Sequence, residues 1–448
     1  MLNRILIQKV VQMIDSNMSG IEVFKIFLDR VKGVNLPLVM LRPREIREDI
    51  SYSGDYDFFI EPRYNEKLLK IMFDLAVQSN TSFSVTAQKY GKIDITIYDK
   101  HEDKKIALEI WNILSVKDPQ KKTLRYIPAD KLKNYISRHD DGTYGLFLKI
   151  EALYYLSHLA TGGKKLQTPL VQERIAYYKS KLKDTKYANY FNDLNRDADI
   201  KKVAHRANME LVAKGLLHFR TNKNAMLKES LIKGVSTLKR VERKLYKLFN
   251  MVAVMGPDGV GKTTIINESI KEVQGKTKLF KFKKTFRVSP VYKIVMPLLK
   301  DRVSKQYKEM HIGKSEVDDI YGGFVIFNAL VMYPLRLIRA LVTKETTFID
   351  RYFNEYLLEN TRFSKDKAKL RENWKLLAFF TPRPRVIVQL DAPESVILQR
   401  KDELDEDAII AFRNYIFKTV LNKLPTKYLY INTTTPLQRC KTILLDNI

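Results

Sequence analysis

An α/β fold built on a parallel sheet is expected for residues 248–448 of this chain, and three observations lead there. Short apolar runs recur at Leu248–Met255, Thr346–Ile349, Arg385–Leu390 and Tyr428–Asn432. Helical periodicity fills the spaces between them, from Lys262 onward and again at Leu437–Leu445, and such alternation implies a parallel sheet flanked by helices. A glycine-rich turn separates the first apolar run from the first helical pattern.

The other elements divide the chain further. Residues 1–115 mix two helical patterns, Ile5–Met13 and Ile21–Val31, with strand-like runs at Leu38–Leu41, Tyr56–Ile60, Ile93–Tyr98 and Ile106–Ile110. A third helix, Glu66–Val77, lies between two of these runs, so a small α/β unit is expected. Residues 116–247 show apolar recurrence near 3.6 at Leu146–Leu159, Leu170–Leu182, Ala207–His218 and Met226–Lys247, and read as a helical middle region. Its last part, Arg220–Lys247, holds nine Lys or Arg against two Glu and reads as a basic linker helix or a solvated helix face. The expected domains are therefore 1–115, 116–247 and 248–448.

Composition narrows the class. A hydrophobic fraction of 45% over 448 residues allows a core in each unit and argues against bulk disorder. The net charge of +28 suits polyanionic or phosphorylated partners, whether nucleic acid, anionic lipid or substrate, or else a lysine-rich solvated surface. Cys440 is the single cysteine, so an intrachain disulfide and a thiolate metal site within one chain are both excluded. The N-terminal stretch lacks the apolar core of a signal peptide, and a cytoplasmic protein is expected. The most apolar stretch, 324–342, is interrupted by Pro334, Arg336 and Arg339 and falls short of a membrane span. It reads as a buried helix, with its basic positions leaving open peripheral contact with an anionic membrane.

The sharpest motif is MVAVMGPDGVGKTTII. Gly256, Gly261, Lys262 and Thr263 satisfy G-x-x-x-x-G-K-[ST], between an apolar run and a helical pattern as a phosphate-binding loop requires. Glycines let the backbone approach phosphates closely, and the following helix N-terminus favours anions. Gly256, Asp258, Gly259, Gly261, Lys262, Thr263 and Thr264 are the expected nucleotide-binding residues. Lys262 should reach the β- and γ-phosphates of ATP, and the Thr263 hydroxyl should bind Mg²⁺.

GPDGVGKTT (Gly256–Thr264) resembles the loop of thymidylate kinases. FIDRYF, with Asp350 and Arg351, is similar to their Asp-Arg-aromatic motif, and VIVQLDAPESVILQRK, Val386–Lys401, to the segment that runs into their arginine-bearing lid. The resemblance spans about 190 residues and implies an ATP-dependent kinase. It implies Asp350 as a Mg²⁺ holder, Arg351 as a clamp on an acceptor or transferred phosphate, Arg400 with Lys401 as lid cations, and Asp258 as the group that orients or deprotonates an acceptor hydroxyl. Asp350 and Arg351 also suit a structural ion pair, and Arg400 a surface arginine. Two departures bear on the acceptor: the N-terminal extension is foreign to stand-alone thymidylate kinases, and Lys276–Lys308 holds eleven Lys or Arg and one Asp. The arrangement looks more like the thymidylate kinase-like proteins encoded among bacterial surface-polysaccharide genes.

In SYSGDYDFFIEP, Asp55 and Asp57 stand at i, i+2, a spacing that puts them on one face of a strand. Paired carboxylates of this kind, with a third from Asp94 or Glu109, resemble the metal site of DNA polymerase β-like nucleotidyltransferases. The Gly-Ser pair of that superfamily is missing upstream, so a degenerate fold without catalysis stays open beside an active one. The six histidines have no metal-ligand spacing. Three functions follow: a kinase acting on a small or lipid-linked acceptor, such as a sugar or nucleotide intermediate of surface-polysaccharide synthesis; a nucleoside monophosphate kinase; and a nucleic-acid-binding NTPase.

Overall fold

The computed structural model describes residues 18–41, 50–52, 55–87, 91–117, 124–162, 165–217, 250–281, 342–352, 384–401, 406–421 and 427–448, with isolated positions between 227 and 305. The expected helix Ile5–Met13 and all of the apolar stretch 324–342 except Val342 lie outside the described residues, as do most of the basic linker 220–247 and most of 276–308.

Among the described residues, twelve strands form one mixed sheet. In the C-terminal part, β10 (Met251–Met255), β11 (Thr277–Lys281), β12 (Thr346–Asp350), β13 (Val386–Asp391) and β14 (Lys427–Asn432) run parallel in the order β11-β12-β10-β13-β14. All residues of β10 and β13 are buried, because helices cover both faces of a parallel sheet. That is why these strands read as mostly apolar runs. The helices Lys262–Glu272 and Leu437–Leu445 cover one face, with Val252, Val254, Val388, Leu429 and Ile443 in a common core.

The sheet does not end at β14. It pairs antiparallel with β3 (Ser82–Ala87), Tyr430 opposite Phe83, and continues through β4 (Lys92–Tyr98), β5 (Lys105–Trp111), β2 (Asp55–Phe59) and β1 (Val39–Met40). The second face of this continuous sheet is covered by the helices Gly20–Gly33, Asn65–Gln78 and Glu406–Leu421. Phe73 from the first part of the chain stacks on Phe417 from the last, with ring centroids 3.9 Å apart, and meets Tyr430 edge-on at 5.5 Å. The strands of 1–115 and of 248–448 thus share hydrogen bonds and a core. Arg439 ties them further by donating to the carbonyl oxygens of Asp99 (3.1 Å) and Lys104 (3.2 Å).

Residues 116–217 are mostly helical: Leu148–Gly162, Pro169–Lys181, Ala188–Asn192 and Asp199–Ala213 pack into their own core. The last helix begins earlier than its apolar spacing announces. Lys201 and Lys202 mask the stripe of Ile200, Val203, Ala204, Ala207 and Leu211, and Gly215 at φ 71° ends it. Four short strands were not expected here. β6 (Leu114–Lys117) and β7 (Leu124–Ile127) form a hairpin, and β8 (Ile136–Arg138) and β9 (Tyr144–Leu146) close the edge of the large sheet beside β1. Strands of three or four residues are too short to display alternation. No helix among the described residues is long and apolar enough to cross a membrane.

Candidate nucleotide site

The motif loop joins β10 to the helix Lys262–Glu272, at the carboxyl ends of the parallel strands and between neighbours β12 and β13. Ligands of open α/β sheets bind in this crevice. Gly256 has φ 153°, and a Cβ there would lie 2.4 Å from the Leu390 carbonyl oxygen, so the loop's first residue can approach β13 only without a side chain. Gly261 caps the helix in a left-handed conformation, φ 94°, and offers no side chain to the first-turn amides, which are left for an anion. Thr263 and Thr264 are exposed in that first turn. Gly256→Ala is expected to lower stability by about 1–3 kcal/mol through overpacking against β13, read as a lower urea midpoint.

Lys262 is 7% exposed. Its Nζ donates to the carbonyl oxygens of Gly256 (2.5 Å) and Pro257 (2.9 Å) and to Asp258 Oδ1 (3.2 Å). These three acceptors match the three protons of an ammonium. Asp258 also receives the Arg351 guanidinium on both oxygens, with Oδ2 at 2.5 Å. Burial opposes ionisation of Asp258, but the Lys262 and Arg351 charges outweigh it and hold the carboxyl well below the usual carboxylate range. A base so weakened orients a hydroxyl better than it deprotonates one.

Arg351 follows β12 with φ 64°, a conformation that costs a non-glycine residue about 1–3 kcal/mol and clusters at functional sites. Its amide is held by the Val254 carbonyl oxygen at 3.0 Å. Asp350, the last residue of β12, pairs in register with Val254, two residues before the loop. Its Oδ1 is buried and has no hydrogen-bond partner. An unsatisfied buried carboxylate oxygen beside a phosphate loop fits the donor set of a hard cation. Asp350 and the Thr263 hydroxyl are the residues that would hold Mg²⁺.

Arg400 and Lys401, at the end of the helix Glu394–Arg400, stand beside the loop. A Cβ on Gly259 would lie 3.1 Å from Lys401 Cβ and 3.7 Å from Arg400 Cβ. Arg400 is exposed, as a cation closing over a ligand must be before the ligand arrives.

One contributor was missed in the sequence. Arg413, 4% exposed, pairs with Asp391 and Glu394 and donates to the Ala392 carbonyl oxygen at 2.9 Å. Tyr430 Oη adds a bond to Asp391 at 3.0 Å. Burial alone would lower the Arg413 pKa, but Asp391, by charge and hydrogen bond, raises it, so the guanidinium stays charged. The network fixes the turn that launches the helix carrying Arg400. Its signal was present: Arg413 occupies the same helical face as Ile409, Ile416 and Phe417, all buried, and a cation on a core face needs an acid opposite.

The N-terminal acids lie elsewhere on the sheet. Asp55 opens β2 opposite Ala107, and Asp57 pairs with Glu109, which pairs with Asp94 on β4. Of the two candidates for a third carboxylate, Glu109 is therefore beside Asp57 and Asp94 one strand further on. No group of three or more His, Cys, Asp or Glu that could hold a metal is found among the described residues.

Comparison with known proteins adds the following. No family model matches the chain, and no curated protein does. Among solved structures, thymidylate kinase from Candida albicans is similar at 17% identity and a TM-score of 0.32, over 44% of this chain and 89% of that one. Thymidylate kinase from Ehrlichia chaffeensis is similar at 14% identity and a TM-score of 0.29, over 44% and 96%. The chemistry of the site rests on its own residues.

Proposed function

We propose that the chain is an ATP-dependent phosphotransferase that moves the γ-phosphoryl group to a small or lipid-linked acceptor. The observation that carries this reading is the convergence of Lys262 and Arg351 on Asp258, with the unsatisfied Asp350 oxygen and the Arg400 end of its helix around the same loop. Phosphoryl transfer needs positioning and charge neutralisation above all. The loop amides and Lys262 bind the β- and γ-phosphates, Arg400 covers them, and Arg351 faces the acceptor. An acceptor oxygen attacks the γ-phosphorus in line, the bond to the β-phosphate oxygen breaks, ADP leaves, and the acceptor hydroxyl's proton passes to solvent. Asp258 holds the acceptor hydroxyl by accepting its hydrogen bond. Thr263 and Asp350 would hold Mg²⁺, which would supply charge neutralisation at the phosphate oxygens.

For the acceptor, we infer a sugar or nucleotide intermediate of surface-polysaccharide synthesis, on the resemblance of the fused arrangement to proteins encoded among such genes. Peripheral contact with an anionic membrane would suit a lipid-linked acceptor and the charge of +28. The test is Mg-ATP consumption by the full chain against nucleoside monophosphates, free sugars and nucleotide sugars, with Lys262→Ala as control. Stimulation by a sugar or nucleotide sugar, lost in the variant, supports the reading. Turnover of dTMP alone makes the chain a nucleoside monophosphate kinase. ATP binding without any stimulated turnover, together with nucleic-acid affinity that falls steeply with salt, overturns the kinase reading in favour of a nucleic-acid-binding NTPase.

A further inference from the structure

The nucleotidyltransferase resemblance asks for a divalent ion between carboxylates on neighbouring strands, and the geometry around Asp57 disagrees. Asp57, Glu109 and Asp94 stand side by side on β2, β5 and β4. The next residue pair along β4 and β5 on this face is Lys92 opposite Trp111. Lys92 Nζ reaches back to Glu109 Oε1 at 2.5 Å and to Asp94 Oδ1 at 3.2 Å. Its ammonium also lies 5.0 Å from the centroid of the Trp111 ring, a cation–π distance. Trp111 Nε1 in turn donates to Asp57 Oδ1 at 3.2 Å. Asp57 therefore has the Trp111 N–H on it, and Glu109 and Asp94 share the Lys92 ammonium in an ion pair.

We propose that Lys92 takes the place of a divalent ion in the N-terminal unit, so that Asp57, Asp94 and Glu109 form an internal ion-pair cluster with Lys92 and Trp111 and the unit carries no metal-dependent transferase site. Mg²⁺ needs carboxylate oxygens at about 2.0–2.1 Å in near-octahedral array. Glu109 Oε1 and Asp94 Oδ1 face the ammonium and Asp57 Oδ1 faces the Trp111 N–H, so a metal ion drawing on these oxygens would stand against the Lys92 charge. Lys92 is 16% exposed and belongs to a strand, so it has little freedom to swing away. Burial lowers its pKa, but Glu109 and Asp94 outweigh that and raise it, which keeps the cation in place at neutral pH. The three-strand geometry of the acids thus persists while its charge is met from within. What the unit contributes to the rest of the chain is structural: β3 beside β14, and Phe73 and Phe83 against Phe417, Tyr428 and Tyr430.

Mn²⁺ titration of the full chain, followed by the electron paramagnetic resonance of free Mn²⁺, tests this. Wild type and Glu109→Gln are expected to bind the same number of Mn²⁺ ions with the same affinity, because Glu109 ligates none. Lys92→Met is expected to gain one Mn²⁺ site, and Lys92→Met with Glu109→Gln to lose it again. Loss of a wild-type Mn²⁺ site in Glu109→Gln overturns the proposal. A folded Lys92→Met chain with no additional site overturns it equally. Should Lys92→Met fail to fold, the comparison of wild type with Glu109→Gln still decides.

Discussion

Lys262→Ala is expected to lower ATP turnover by about 10²–10³-fold, the loss typical of removing one preorganised donor from a developing negative charge. The chain should nevertheless stay folded. Lys262 is buried, but two of its three acceptors retain a protein partner when it goes. Asp258 keeps Arg351 Nη2, which donates to both of its oxygens, so no buried charge is orphaned. The Pro257 carbonyl oxygen keeps the Val260 amide at 3.4 Å. A steady-state assay of ADP release paired with a thermal melt checks both halves. Turnover should collapse while the melting temperature moves by a few degrees at most. Equal turnover in wild type and variant would show that Lys262 serves only to hold the loop closed on Asp258. The same geometry sets a cost on binding: phosphate must draw Lys262 away from carbonyl oxygens at 2.5 and 2.9 Å, exchanging neutral acceptors for charged ones.

The parts of this site that were legible in the sequence are those whose function dictates local backbone. Gly256 and Gly261 need positive φ or a close approach, and Lys262 and Thr263 must follow at a fixed offset, so the loop declares itself in eight residues. The strands β10, β13 and β14 were legible because burial on both faces leaves them mostly apolar. β3 was not, although SFSVTA alternates with period two. Its Ser82 and Ser84 look solvent-facing but are buried, and Ser82 Oγ accepts from the Asn432 amide at 3.1 Å. β11 lies at the sheet's edge in a lysine-rich tract, where charge on an edge strand discourages further pairing and hides the strand pattern. Lys92 and Arg413 were missed for a common reason. Each is a cation whose meaning depends on acids far away in the chain or across a strand pair, and only register or helical face brings them together. The joining of the two ends of the chain into one sheet has no local signature at all. It rests on β14 offering β3 an antiparallel edge.

Arg413→Met is expected to destabilise the chain by about 3–5 kcal/mol, the usual cost of removing one partner from a buried ion pair. Asp391 is fully buried, and without Arg413 its carboxylate would keep only Tyr430 Oη at 3.0 Å and the Ala392 amide at 2.9 Å. Two neutral donors do not replace a guanidinium that brings charge and two hydrogen bonds to the same group. Arg413→Lys keeps the charge but loses the planar fork, and cannot reach Asp391, Glu394 and the Ala392 carbonyl oxygen together. A smaller loss is therefore expected for the lysine variant. Arg413→Met combined with Asp391→Asn should recover part of the loss by removing the orphaned charge. Urea denaturation of the three variants separates these outcomes. A midpoint for Arg413→Met equal to wild type would mean that water enters and solvates Asp391, and the network would then be no brace. If the brace holds, the effect extends to the nucleotide. The turn from Asp391 to Glu394 launches the helix whose end sets Arg400 and Lys401 against Gly259, and the helix bearing Arg413 packs through Phe417 on Phe73. Arg413→Lys should accordingly weaken ATP affinity more than Phe73→Leu does at matched loss of stability, because only the arginine touches the turn that places the lid cations.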